Sequence, residues 1–153
     1  MVFLRALFLL LLALSITTPL QGRNQDREAD RILGVWVTEE GKARVEITRC
    51  GDQLCGTIIW LKEPRKEGKE VLDDKNPDPT MRERPVLGMK FLWGFSYEGD
   101  GEYAGGEIYD AESGNTYKGK MSLADDTTLD LRGYVLIPLF GRTSRWTRYT
   151  EKL

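Results

Sequence analysis

The 153-residue chain contains no histidine. This excludes Ser-His-Asp and Cys-His activation of a nucleophile, where an imidazole takes the proton. It also removes the commonest zinc ligand. Cysteine is nearly missing, with Cys50 and Cys55 the only two. If they pair, no thiolate remains to attack a substrate or hold a metal. Any catalysis would then rest on carboxylates, Tyr, Lys or Arg, and neither a metal site nor a cofactor is expected. A dominant charge sign is absent too. The 22 basic and 24 acidic residues are mixed along the chain. That leaves no basic face for nucleic acid and none for an anionic membrane surface.

What is present begins with a leader. Arg5 is followed by the apolar run Ala6–Leu14, then small polar residues over Ser15–Thr18 and Pro19. Charge, apolar core and polar end in this order define a secretory signal peptide over residues 1–22. The apolar core is shorter than the roughly 20 residues that a membrane span needs, so no stable membrane insertion is expected after cleavage. No cysteine follows it, which excludes a lipid anchor. Losing residues 1–22 removes one base and no acid, and the formal charge moves from −2 to −3. Export places the cysteines in an oxidising compartment, where a disulfide persists.

Residues 23–31 are polar and read as a flexible segment or a single helical turn. Residues 32–150 then form one domain. Its runs are short, rich in β-formers and broken by Gly, Asp and Asn: Leu33–Thr38, Lys42–Cys50, Leu54–Lys62, Met89–Tyr97, Glu102–Tyr109, Thr116–Leu123, Thr128–Tyr134 and Thr143–Tyr149. Repeated short strands with turn signals give an all-β sandwich or barrel. No segment sustains the 3.6-residue period of a long helix.

Three hairpins carry register information. Setting Cys50 opposite Cys55 puts Ile47 against Ile58 and Val45 against Trp60, so these four share the inner face. A disulfide closing so small a loop contributes about 2 kcal/mol on the chain-entropy model. Pairing Asp110 with Asn115 sets Glu107 against Lys118, Ile108 against Tyr117 and Gly106 against Gly119. Facing glycines predict a bend or a close approach. A three-residue turn at Asp125–Thr127 sets Leu123 against Leu129 and Met121 against Leu131.

Two connections are unusual. Glu63–Gly88 is charged and proline-bearing, with a helix-start signal at Asn76-Pro77-Asp78-Pro79 that predicts one or two turns over Pro77–Arg84. Such a segment would plug a barrel end or cover Ile59 and Leu61. Val135–Phe140 is apolar where a loop should be polar. Alternation favours Val135 and Ile137 continuing a strand that ends at Pro138; the other reading is a lid or partner contact.

The ordered motifs Gly34-Val35-Trp36, Cys50-Gly51-Asp52-x-Leu54-Cys55-Gly56, Asp73-Asp74-x-Asn76-Pro77-Asp78, Arg82-x-Arg84-Pro85-x-Leu87-Gly88, Gly105-Gly106-x-Ile108-Tyr109-Asp110, Gly114-x-Thr116-Tyr117, Arg132-Gly133-Tyr134 and Pro138-Leu139-Phe140-Gly141-Arg142-Thr143-x-x-Trp146-x-Arg148 resemble the bacterial exported proteins grouped as domain of unknown function 2147. The resemblance spans roughly residues 33–149. It implies an antiparallel, up-and-down, lipocalin-like β-barrel of about eight strands with one long, partly helical loop over 64–88. It also implies a periplasmic or secreted location, and it brings no established activity. Barrels of this type often open with Gly-x-Trp, whose indole lies under an Arg from the last strand. Gly34, Trp36 and Arg148 are the candidates for that closure, with Arg142 and Arg145 as alternatives to Arg148, and Cys50–Cys55 is the structural disulfide.

An eight-stranded barrel is either filled by its own side chains or holds one small ligand. Binding of a small apolar or amphipathic ligand is the leading expectation, with Trp36, Val45, Ile47, Ile58, Trp60, Trp93, Tyr117, Tyr134 and Phe140 as candidate contacts. The alternative is a structural or protein-interaction module with a filled barrel. A carboxylate-based hydrolase would draw on Glu102, Glu107, Asp110 and Glu112, but turn placement and alternation put most of these acids in solvent. Asp74, Asn76 and Asp78 have the first offsets of a calcium loop, yet Pro79 and Pro85 stand where Gly and Glu are needed, and capping explains them better.

Overall fold

The computed structural model describes residues 20–151. It contains one helix, α1 Leu20–Asp30, and ten strands: β1 Gly34–Val37, β2 Ala43–Cys50, β3 Gln53–Leu61, β4 Arg65–Lys66, β5 Lys69–Glu70, β6 Lys90–Gly99, β7 Glu102–Asp110, β8 Asn115–Asp125, β9 Thr128–Tyr134 and β10 Gly141–Arg148. Eight of them close an antiparallel barrel in the order β1-β10-β9-β8-β7-β6-β3-β2, while β4 and β5 form a separate small hairpin in the long loop. Closure leaves the barrel sheet without a free edge strand.

The hairpins show where side-chain patterning suffices. Glu107 faces Lys118, Ile108 faces Tyr117 and Gly106 faces Gly119; Met121 faces Leu131 and Leu123 faces Leu129. The glycine pair is needed because the Phe95 ring lies over it. A Cβ at Gly106 would sit 2.3 Å from that ring, and one at Gly119 2.4 Å from it. Phe95 thereby enters the interior and is fully buried.

The cysteine hairpin differs from the expected register. Cys50 and Cys55 are disulfide-bonded, but Cys50 pairs across with Gln53 and Ile47 with Gly56. The turn is the tight Gly51-Asp52 rather than a four-residue loop. A two-residue slip keeps the faces, so Val45, Ile47 and Ile58 still point inward. Beyond Val45 the pairing shifts again, with Val45 against Ile58 and Arg44 against Trp60, leaving Ile59 as the extra residue of a bulge on β3. One extra residue flips all that follows it. Trp60 is therefore outside, under the Arg44 guanidinium at 4.6 Å, and Ile59 remains exposed and uncovered.

Other expectations are also corrected. The segment expected as flexible or a single turn over residues 23–31 is instead helical through Asp30, as the larger part of the 11-residue α1, with Arg31 in the turn that follows. Tertiary contacts hold it: Tyr103 Oη donates to the carbonyls of Glu28 and Ala29, and Asp30 pairs with Arg49 at 2.6 Å. The apolar core of the leader lies outside the described residues. In the long loop, the helical turn is a single 3-10 turn at Pro79–Met81, capped by the Asp78 carboxylate on Thr80 N–H. Strand β9 stops at Tyr134, so Val135 and Ile137 do not extend it. Leu136 takes a φ of 66°, which breaks the extended run.

The two barrel ends are unlike. At one end lie the tight β2–β3, β6–β7 and β8–β9 turns together with α1. Arg148 clasps this end. Its guanidinium stands 4.2 Å over the Trp36 ring and donates to the carbonyls of Leu33 at 2.9 Å, Arg31 at 2.5 Å and Asp126. Arg31 reaches Asp126 at 2.8 Å. Trp36, Val45, Ile47, Phe95, Tyr103 and Leu129 fill the interior above this clasp. The disulfide belongs to this closed end.

Candidate functional site

At the other end the barrel opens into a cavity of about 850 Å³. Its floor is the top layer of the packed core, Ile108, Leu131 and Trp146, with Phe91 beside Trp146 at a ring separation of 6.2 Å. Ile58, Met89 and the rings of Tyr117 and Tyr134 form its walls. Apolar walls with a few polar groups are the usual make-up of a small-molecule pocket.

Long-range packing builds one wall. Strand β3 continues past β6, and the long loop covers the gap: Gly88 N–H donates to Ile58 O and Ile58 N–H to Met89 O. Val86 and Met89 thereby join Ile58 and Tyr109 in a second apolar cluster. A buried polar network pins the loop. Asp73 is fully buried and accepts from Tyr109 Oη at 2.5 Å, Asn76 Nδ2 at 2.7 Å and Arg84 at 2.6 Å. Burial opposes its charge, yet the bonds from Tyr109, Asn76 and Arg84 outweigh this and hold the carboxyl below its ordinary range. Burial, then the bond to Asp73, pushes the Tyr109 hydroxyl up to about 12. Asp73, Asn76 and Asp78 thus spend their oxygens on loop structure, and no cluster of metal-ligating side chains occurs among the described residues.

The rim is charged. Glu40 and Lys42 pair at 2.6 Å, and this bond lowers the Glu40 carboxyl below its usual range. Arg142, Asp110 and Glu112 also edge the mouth. Over it stands the loop between β9 and β10, whose Val135, Leu139 and Phe140 line the cavity.

Of the candidate contacts, Ile58, Tyr117, Tyr134 and Phe140 meet in the cavity. Trp36, Val45 and Ile47 do not, because they fill the closed half. Trp60 is excluded by the β3 bulge. Trp93 is excluded by another irregularity: Gly94, at a φ of 79°, lets Leu92 and Phe95 both turn inward and sends Trp93 outward. Its indole N–H donates to Glu107, which also pairs with Lys118 at 3.0 Å. Glu102 is held by Lys120 and Ser122, while Asp110 accepts from its own turn. These acids do not form a facing pair across the cavity. Sequence reasoning missed Met89, Val86, Ile108, Leu131 and Trp146. Alternation signalled Leu131 and Ile108 as inward; Val86 and Met89 reach the site only through the loop's tertiary packing.

A closed eight-stranded antiparallel barrel with a filled end and an apolar open end is a lipocalin-like fold. The solved structure of HP1028 from the human pathogen Helicobacter pylori, described as belonging to the lipocalin family, superposes with a TM-score of 0.70 at 23% identity, over 78% of this chain and 84% of that one. No curated protein matches. The family model described as "Uncharacterized protein conserved in bacteria (DUF2147)" matches residues 34–148, and the chain belongs to this family.

Proposed function

We propose that the protein binds one small apolar or amphipathic molecule in the open half of its barrel and catalyses no reaction on it. The observation that carries this is the division of the interior, with one half close-packed around Phe95 and the other left as an apolar cavity of about 850 Å³. A protein selected only for stability fills such space, since each unfilled void forfeits packing energy. Tyr117 and Tyr134 supply hydroxyl handles at the wall. The disulfide fits an extracytoplasmic location, no helix among the described residues is long and apolar enough to cross a membrane, and the leader reading adds export to the periplasm or beyond. The filled-barrel alternative describes the closed half alone.

Ala43 lines the cavity on β2, outside the closed-end core and packed against the Ile58, Val86 and Met89 cluster. Ala43→Trp is expected to occupy the space and weaken binding of the neutral fluorophore N-phenyl-1-naphthylamine at least ten-fold in a fluorescence titration. Saturable binding that Ala43→Trp leaves intact would place the ligand elsewhere.

A further inference from the structure

The cavity has two unlike walls. On one side stand Ile58, Leu61, Val86 and Met89, all apolar. The other side is built by β8, β9 and β10, consecutive neighbours in the barrel, and it carries polar groups. Side chains of β10 alternate, so that Arg142, Ser144 and Trp146 line the cavity while Thr143 and Arg145 do not. Arg145 pairs with Asp130, and Arg148 is spent on the closed end. The Arg142 side chain makes no hydrogen bond or ion pair among the described residues. Across the ladder it faces Gly133, which puts no side chain beside it. A Cβ at Gly133 would stand 3.7 Å from the Tyr117 Cβ, so Arg142 and Tyr117 share one strip of wall. The remaining polar groups of this wall are donors too. Ser144 Oγ accepts from the Trp146 indole at 3.0 Å, which leaves its own O–H to give. The Tyr117 and Tyr134 hydroxyls have no partner among the described residues.

We propose that the ligand is an amphiphile with a single carboxylate head, held at the mouth by Arg142, with its hydrocarbon chain lying over Ile108, Leu131 and Trp146. This assignment rests on the ligand binding proposed above. A wall of unspent donors calls for an acceptor, and an ionised carboxylate is acceptor-only. The guanidinium fork matches it with two parallel N–H···O bonds. Arg142 lies at the mouth and Trp146 at the floor, further along the same strand, so the chain enters first and the head stays near water. The acids of the mouth are engaged or stand farther out. Glu40 is held by Lys42 at 2.6 Å, and Arg142 acts on it only as a weaker, more distant charge. Asp110 accepts from Glu112 N–H at 2.9 Å and Ser113 Oγ at 2.6 Å. Glu39 and Glu112 are exposed on the turns beyond β1 and β7. Their charges oppose a multiply charged head more than a singly charged one.

The test is calorimetric titration of the purified protein with decanoate, decanol, decylamine and decyl phosphate. Decanoate should bind about ten-fold more tightly than decanol, the scale of one charge-assisted contact. In Arg142→Gln that preference should vanish. In Arg142→Lys, which keeps the charge but not the fork, a smaller preference should remain. The readout is a ratio within each variant, so a general change in the cavity does not imitate it. Equal binding of decanoate and decanol by the parent overturns the proposal and leaves the apolar cavity in place. Tightest binding of decylamine would move the head to Glu39 and Glu112, and tightest binding of decyl phosphate would make a phosphate the preferred head. Either result overturns the proposal, as does a decanoate preference that survives Arg142→Gln. Failure of all four to bind overturns it too, and if N-phenyl-1-naphthylamine is also unbound the cavity reading falls with it.

Discussion

Trp36→Ala is expected to destabilise the protein by about 4 kcal/mol, within the range for removing a large buried aromatic. At this chain length such a loss lowers the melting temperature by roughly 10 °C or more. Three effects combine. The fully buried indole leaves a void beside Val45, with which it pairs across strands. Its N–H bond to Ile32 O at 2.8 Å disappears, leaving a buried carbonyl unpaired. Arg148 loses the ring beneath it, a contact that contributes about 0.5–2 kcal/mol. Trp36→Phe keeps a ring and should lose less than half as much. Calorimetric or chemical unfolding of both variants checks this. Equal losses would show that a phenyl ring preserves nothing of the clasp, and would contradict the expected sharing of the loss between the ring and the indole N–H. Since the clasp lies at the closed end, the affinity of the surviving folded protein for an apolar probe should be nearly unchanged.

The second large effect lies at the open end. Asp73→Ala is expected to cost about 3 kcal/mol, the low end for breaking a buried ion pair, because the Arg84 side chain is one-third exposed and can recover some hydration. Tyr109 Oη and Asn76 Nδ2 lose their acceptor. Asp73→Asn keeps one acceptor oxygen and should lose less. Unlike Trp36→Ala, this change should also weaken probe binding, since the network positions Val86 and Met89 in the cavity wall.

The same residue sets a pH signature. The folded Asp73 carboxyl titrates below its ordinary value, near 3.9 when unfolded. Its contribution to stability is therefore complete above the unfolded value and is lost as pH falls through the folded one. Asp73→Ala should flatten the acid limb of the stability profile. Tyr109, raised to about 12, acts in the opposite direction: its contribution is present below about pH 10 and declines as pH rises toward its folded value. Unfolding midpoints measured across both limits test both signs, and an acid limb identical in Asp73→Ala and the parent would refute the assignment.

The sequence discloses the barrel better than the cavity, for physical reasons. Hairpins closed by short polar turns, such as 110–115 and 123–129, carry their register in cross-strand charge and apolar pairs. Opposing Glu107 with Lys118 was enough. The cysteine hairpin was legible in its faces but not its register, because a two-residue slip preserves side-chain parity. Bulges are harder. Gly94 offered a signal, and with it Trp93 turns outward; Ile59 offered none, since nothing in a run of β-branched and aromatic residues marks the extra one. The long loop's role depends on Asp73 meeting Tyr109 across 36 positions, which no local pattern encodes. The exposed apolar run at Val135–Phe140 was visible, but alternation pointed to a strand where Leu136 and Pro138 make a turn.

The central claim is that the barrel is divided, with ligand entering the open half only. Methyl-detected NMR during titration with N-phenyl-1-naphthylamine tests this directly. Saturable shifts at Ile58, Ile108 and Leu131, with Val45, Ile47 and Leu123 unmoved, are the predicted result. The absence of saturable shifts, or shifts centred on the closed-end methyls, would contradict it.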